Sequence, residues 1–422
     1  MICCLTIYGI INLNIQNMKN IIYSRLTVVV LLLSCVNISV SAQEVSTKYR
    51  RSSIYSFMIK HNKQQFADSI SKVFAVMPVP DKYNDHDLSV KILSIDDSKM
   101  DNNVKVTNFL EQNRVASRLV AKWFDRDLFN SQCDLNLVKS RGLYSASEFD
   151  KALAGKSARG KAMLEDAGEE LIGNTFIIAN DIRYLDKNKG AKAIGVFFRI
   201  LGSAMDAYSG SSNYSDLGNS LGDIAETFKG FSVKVHTYLY QLVWDDETAN
   251  KFYTQDYSDV PDLSKIQTFD RDRSSYKLKY IGEQISSGST TSFMGIKEDE
   301  PLVMVRKACQ RALDENIANL QKNFEQFKVK VPLDNVSPLK AAIGRKEGLT
   351  PDSKFEVLES STKEGKTVYK KVGVIVPISS QIWDNRYMAK EEQAYGATFG
   401  ATTFKKVSGG DFYSGMLIRE IK

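Results

Sequence analysis

Three residue patterns in this 422-residue chain could carry chemistry. Gly155-Lys156-Ser157 matches the end of a phosphate-binding loop. Such a loop also needs a glycine five residues earlier and a strand before it, so that backbone amides can cradle phosphate. Asp150 stands at that position and the surrounding pattern is helical. Gly218-Asn219-Ser220-Leu221-Gly222 matches the nucleophile elbow, which requires a strand entering a strained turn. A polar loop precedes it, and the later histidine, His236, falls inside an expected strand. Glu165, Asp166, Glu169 and Glu170 cluster acid on one helical run. A carboxylate pair can work as acid and base when one pKa is raised, but a charge run is ordinarily a solvated face.

Metal and redox chemistry have little to draw on. His61, His86 and His236 have no metal-ligand spacing. Their number argues against a histidine-rich metal site and leaves an all-carboxylate site open. No cofactor motif remains.

The amino terminus points to export. Met18-Lys19 to Arg25 is basic, Leu26 to Val36 is an apolar core, and Val40-Ser41-Ala42 obeys the small-residue cleavage rule. Cleavage is expected between Ala42 and Gln43, with residues 1–42 as the signal segment. A core this short falls below the ~20 apolar residues that span a bilayer. Residues 1–17 carry no charge, so translation is expected to start at Met18. Leu32-Leu33-Ser34-Cys35 offers an alternative, a lipobox with Cys35 acylated.

Cleavage removes Lys19 and Arg25 and no acid, which lowers the net charge from +6 to +4. That balance gives no argument for nucleic acid. It also leaves two cysteines, Cys133 and Cys309, which allows one disulfide and excludes a disulfide framework. Cys309 lies on the apolar face of an expected helix, where a buried free thiol fits.

Hydrophobic periodicity then gives the elements. Strands are expected over 51–59, 88–95, 174–185, 231–244 and 276–285, with helices over 64–77 and 103–124 and from a Ser145/Glu148 capping box to Leu171. Asp245-Asp246 reads as a turn. Pro301 opens a helix to Phe327, whose Leu302, Val305, Cys309, Leu313, Ile317, Leu320 and Phe324 make one apolar seam suited to covering a sheet.

After Lys328 the texture changes to short strands over 355–358, 368–378, 401–407 and 416–421, punctuated by glycines. Lys363-Glu364-Gly365-Lys366 reads as a hairpin turn. The fold class expected is α+β. A mixed or antiparallel sheet covered by helices occupies 43–330, and a small β-barrel or sandwich follows over 331–422.

An insert at about 186–230 interrupts the first part. Within 191–208, Lys192, Arg199 and Asp206 share one narrow stripe, and most of the remaining circumference is apolar or small. Such a helix is buried in its own domain, or it faces a partner or a membrane. Ile194, Phe197, Phe198, Ile200, Leu201 and Met205 are the candidate contact residues. Tyr253, Tyr257, Tyr387, Tyr395, Phe399, Phe412 and Tyr413 fall in expected loops or edges, where aromatics serve either as core or as a glycan-binding surface.

The order of elements brings a family into view. A helix, Val138-Lys139-Ser140-Arg141-Gly142-Leu143, a helix, a strand ending in Asp181-Ile182, the insert and a return strand into Asp245-Asp246-Glu247-Thr248 follow in turn. This order resembles the α/β domain of the curli-secretion-channel lipoprotein group, whose corresponding insert can form membrane-spanning hairpins. The segment from Gly344 to Leu349, Phe355 to Val357 and Gly373 to Ile375 resembles the small β-barrel of flagellar-assembly envelope proteins.

The resemblance implies a non-enzymatic role in envelope assembly, scaffolding or binding, in the periplasm, at the outer membrane or outside the cell. Its partners would be other envelope proteins, further copies of the chain or a membrane surface. The alternatives are an exported carboxylate-dependent hydrolase and a carbohydrate-binding module. N-terminal sequencing of the exported protein is expected to read from Gln43, and of an uncleaved precursor from Met18. A mature chain that begins at Cys35 and carries lipid would replace this cleavage site with the lipobox.

Overall fold

The computed structural model describes residues 52–95, 102–145, 168–185, 231–271, 275–290, 301–363, 366–389 and 399–421. Its organising element is a six-stranded mixed sheet. β1 (Ser53–His61) pairs in parallel with β2 (Asn84–Asp85), β3 (Ile92–Ile95) and β4 (Thr175–Tyr184). β4 then pairs antiparallel with β5 (Phe231–Leu242), and β5 with β6 (Leu278–Thr290). β1 and β4 are buried on both faces, which is why they read as nearly unbroken apolar runs.

Helices cover both faces. On one side lie α1 (Ala67–Ala75) and, further along the chain, the long α7 (Pro301–Asn323). Met58, Ile182, Val233 and Val235 of the sheet pack there against Ile70 and Phe74 of α1 and Val305, Cys309 and Ala312 of α7. On the other side lie α2 (Asn102–Gln112), α3 (Val115–Trp123) and α4 (Asn136–Ser145). Tyr55, Phe57, Ile177 and Tyr238 meet Val106, Leu110, Leu119, Val120 and Trp123 there. The period-two alternation of each strand thus sends successive residues into two separate cores.

The helix expected over 103–124 is two helices. Asn113 and Arg114 break it, because Arg114 adopts a left-handed backbone at φ 52° and spends its guanidinium on Asp270 Oδ1 (3.0 Å) and the Phe269 carbonyl (2.7 Å). The strand expected over 88–95 shrinks to β3. The run expected to be helical as far as Leu171 ends in a 3-10 turn, Glu169–Asn174, and residues 146–167 lie outside the described residues. Asp245-Asp246 is not a bare turn. Asp245 caps α5 (Asp246–Lys251) by accepting from the Thr248 amide at 2.8 Å. One π-helical turn, Phe252–Asp256, and α6 (Leu263–Arg271) then lead to β6.

The C-terminal strands close into a barrel. β7 (Val331–Val336), β8 (Leu339–Ala341), β9 (Lys354–Lys363), β10 (Lys366–Pro377), β11 (Thr402–Gly409) and β12 (Leu417–Ile421) run in the order β10-β11-β8-β7-β12-β9. Leu333, Phe355, Val357, Ile375, Phe404 and Ile418 fill it. Sequence reading missed β7 and β8, which are short and flank the turn at Pro338. It found the β9–β10 hairpin, in which Lys363 faces Lys366.

The α+β expectation therefore holds, with a mixed sheet and a closed barrel. The aromatics named as surface candidates are packed instead. Tyr253 and Tyr257 sit against Phe124 and Phe252, and Phe412 and Tyr413 sit against the barrel core. Tyr387 and Phe399 are half-buried, and Tyr395 lies outside the described residues.

α7 lies unusually close to β6. A Cβ at Gly288 would collide with the Ala308 carbonyl oxygen, and one at Gly282 would collide with the Phe324 ring. Gly288→Val is expected to cost about 2–3 kcal/mol, because the helix must move off the sheet. Urea unfolding of the variant against the wild type measures it; equal midpoints would contradict this packing.

Candidate functional site

The insert is rooted in the middle of the sheet. β4 and β5 stay paired to Tyr184 opposite Val233, and the Leu185 amide donates to the Ser232 carbonyl at 2.8 Å. Three rings clamp this root. Phe66 lies 4.7 Å from Tyr184 and 5.5 Å from Phe231, and Tyr184 lies 5.1 Å from Phe231, centroid to centroid. Phe66 reaches the cluster from a left-handed backbone, φ 61°, just ahead of α1. A non-glycine residue pays roughly 1 kcal/mol for that conformation.

Beside the root, the ends of β1 and β4 bring three charged or titratable groups together. His61 Nε2 lies 3.0 Å from Asp181 Oδ1, and Arg183 Nη2 donates to Asp181 Oδ2 at 2.6 Å. Arg183 Nη2 also stands 3.0 Å from His61 Nε2. One ring nitrogen cannot both donate to Asp181 and accept from Arg183. When His61 Nε2–H donates to Asp181, Arg183 donates to the carboxylate and not to that ring nitrogen. Burial would raise the Asp181 pKa, but hydrogen bonds and charge from His61 and Arg183 outweigh it and hold the carboxyl below its usual range. Asp181 is thus a buried, ionised anchor, while the Arg183 side chain extends toward solvent.

A second polar network crosses the sheet under α7. Asn316 Nδ2 donates to Thr237 Oγ1 (2.8 Å), Thr237 donates to Asn180 Oδ1 (2.9 Å), and Asn180 Nδ2 donates to Ser56 Oγ (3.1 Å). The chain ends at a cavity of about 40 Å³ lined by Ser56, Asn180, Gln310 and Leu313. That space suits one or two waters and no organic ligand. The network therefore fixes strand register and helix position.

A third network sits at the opposite end of β1. His86 Nε2 lies 3.1 Å from the Leu119 carbonyl, so that nitrogen carries the proton. Nδ1 is then the acceptor for Arg141 Nη1 at 3.0 Å, and the guanidinium stacks on Trp123. Burial first, then the Arg141 charge, pushes the His86 pKa down to about 3. This histidine is a neutral acceptor at physiological pH.

A wider hollow, a cleft of about 600 Å³, lies between α2, α3 and strands β5 and β6. Its size is in the range of small-molecule sites. Thr107, Glu111, Arg114, Tyr240 and Lys277 line it, and Glu111 is the one carboxylate among the described residues of its lining. A carboxylate-dependent hydrolase needs two, roughly 5–10 Å apart. Of the acidic cluster, Glu165 and Asp166 lie outside the described residues, and Glu169 is half-buried and bonded to Tyr253. Cys133 and Cys309 are buried free thiols. Among the described residues no group of three or more His, Cys, Asp or Glu side chains could hold a metal ion.

The contact candidates Ile194, Phe197, Phe198, Ile200, Leu201 and Met205 lie outside the described residues, as do Ala42, Gln43 and both glycine motifs. Sequence reading passed over the His61, Asp181 and Arg183 grouping, whose signal was an Asp and an Arg two apart at the end of an apolar strand. It also passed over Lys307, Gln310 and Asp314 of α7, a polar stripe that reads as solvent-facing and is buried. No family model matches the chain, and no curated protein matches it.

Asp314 is the least comfortable of these groups. Its Oδ1 accepts from Gln310 at 3.0 Å, and among the described residues its Oδ2 has no hydrogen-bond partner. Burial, reinforced by Glu347 and Asp81 and opposed by Lys346 and Gln310, raises its pKa to about 6. The folded state then binds more protons than the unfolded state between pH 3.8 and about 6, so this group erodes stability as pH rises through that window. Asp314→Asn is expected to stabilise the protein at pH 7.5 by about 1–3 kcal/mol and to leave it little changed below pH 4. Denaturant titrations at both pH values test this, and a loss of stability at pH 7.5 would contradict it.

Proposed function

We propose that this chain is an exported, non-enzymatic protein of the cell envelope, in the periplasm or at the outer membrane. It works by contact with other envelope proteins, further copies of itself or a membrane surface. The insert at 186–230 is the contact element. The observation that carries this reading is where the insert is rooted. It leaves one central strand and returns on the next, and three packed rings and the Leu185–Ser232 hydrogen bond hold the two ends together. A segment anchored in this way can take up a load without unravelling the sheet, because pulling on it loads a paired ladder.

The helix candidate in that insert, with its narrow charged stripe, suits a protein or membrane contact. Among the described residues no helix is long and apolar enough to cross a membrane. The resemblance to the curli-secretion-channel lipoprotein group agrees with an assembly role and supplies no catalytic residue.

Deleting 191–229 tests the reading with the fold intact, since the hydrogen-bonded root needs only a short turn. The shorter loop lowers closure cost by about 1–2 kcal/mol, so thermal stability is expected to hold or rise. Membrane association and oligomer mass are expected to fall. Unchanged fractionation and unchanged mass would end the claim for the insert.

A further inference from the structure

The cleft between α2, α3, β5 and β6 has no part in the contact role of the insert, and its walls are fixed. The Tyr240 hydroxyl donates to Asn103 Oδ1 and stands 3.2 Å from Thr107 Oγ1 on α2. The Tyr276 hydroxyl donates to Asp256 Oδ2 at 2.7 Å. Both phenols are thereby engaged, and with Leu110 and Leu278 the two tyrosines make the apolar part of the lining. The Val243 amide donates to the Lys277 carbonyl at 3.0 Å, which holds the chain entering β6 against the end of β5. A cleft of about 600 Å³ built this way receives a ligand without first having to be ordered.

Its charged groups say what kind of ligand. Arg114 is answered within the fold, since Nη1 donates to Asp270 Oδ1 (3.0 Å) and Nη2 to the Phe269 carbonyl (2.7 Å). Glu111 on α2 and Lys277 just ahead of β6 are different. Both are exposed, both line the cleft, and among the described residues neither forms an ion pair, with the other or with any third side chain. The Lys277 charge acts on Asp245 only as the least of the influences there, and Asp245 Oδ1 already takes the Thr248 amide and hydroxyl.

One carboxylate and one ammonium, carried by separate elements, thus share a cleft with an apolar lining. Glu111 repels a simple anion, and Lys277 repels a simple cation. A neutral apolar molecule would desolvate both charges and pair neither. A zwitterion with an apolar body answers all three features, its ammonium group at Glu111, its carboxylate at Lys277 and its side chains on Tyr240, Tyr276, Leu110 and Leu278. A volume of about 600 Å³ is more than one amino acid fills. We infer that this cleft binds a short peptide with free termini and apolar side chains. Tyr240 and Phe231, where the insert returns, lie about 30 Å apart along β5 at ~3.3 Å per residue. The inference therefore goes beyond the role proposed for the insert, and binding is expected to be unchanged when 191–229 are removed.

Calorimetric titration of the full chain with the dipeptide leucyl-phenylalanine, up to about 10 mM so that weak millimolar affinities are covered, tests it. The free dipeptide is expected to bind. Its N-acetylated form and its C-terminal amide are each expected to bind about three- to fivefold more weakly, the contribution of one partly exposed ion pair. Glu111→Gln is expected to cost the same factor with the free dipeptide and nothing with the N-acetylated form. Lys277→Met is expected to cost that factor with the free dipeptide and nothing with the amide. Both positions are exposed, so circular dichroism should show both variants folded. No binding by calorimetry or by saturation-transfer NMR, capped forms that bind as well as the free dipeptide, or variants that weaken free and capped forms alike would overturn the inference. Free phenylalanine that binds as tightly as the dipeptide would overturn the peptide assignment in favour of a single amino acid.

Discussion

The close approach of α7 to β5 and β6 is the constraint on which the rest of the molecule depends. Gly288 lets the helix backbone down onto the sheet at Ala308, and Gly282 makes room for Phe324. From there the helix buries Val305, Ala308, Cys309 and Ala312 over one half of the sheet and Leu320 over the other. Fully burying side chains of Val or Leu size contributes roughly 1.5–3 kcal/mol each. Among the described residues no other helix reaches both core clusters on that face.

The same helix ties the barrel to the sheet. Lys322 Nζ donates to the Gly348 carbonyl at 2.8 Å, and Arg311 Nη2 donates to the Tyr387 carbonyl at 3.1 Å. Arg306 stacks on the Tyr387 ring. Two faces of α7 are therefore occupied, one apolar against strands and one polar against loops. The buried polar stripe of Lys307, Gln310 and Asp314 follows from this. A surface that would be solvated on a two-layer fold is covered here by the chain around 80–83 and by the 3-10 turn Arg345–Glu347. Asp314 keeps a carboxyl in that seam at a cost in stability, because its second oxygen finds no donor among the described residues.

The ends of the sheet divide the remaining polar groups by purpose. At one end, Asp181 is held ionised by His61 and Arg183 next to the insert root. At the other, burial and the Arg141 charge hold His86 neutral beneath α3. Both arrangements satisfy buried polar atoms within a few ångströms of an apolar core. Both read as fastenings, because each ties side chains from separate elements together.

Element type and order were legible in the sequence wherever period and length were strong. β4, β5 and α7 announce themselves, because a half-buried or doubly buried segment must alternate or run apolar, and a covering helix must repeat at three and four. The change of texture after Lys328 marked the barrel for the same reason. The proposed signal segment and the proposed contact insert rest on sequence alone, since both lie outside the described residues. What the sequence could not decide is what meets across the chain. The break at Arg114 depends on Asp270 and Phe269, more than 150 positions away. His61 and Asp181 become partners through the parallel register of β1 and β4. Tyr253 and Tyr257, expected in loops, pack against the core because Phe124 and Phe252 lie beside them. Conversely, Phe129 stays outside on a loop pinned to Asp262 through Asn130 and to Ser258 through Cys133. Local pattern fixes which face a residue takes on its own element. Only the packing of elements decides whether that face meets solvent, because burial and partnership are properties of two surfaces and a sequence window holds one.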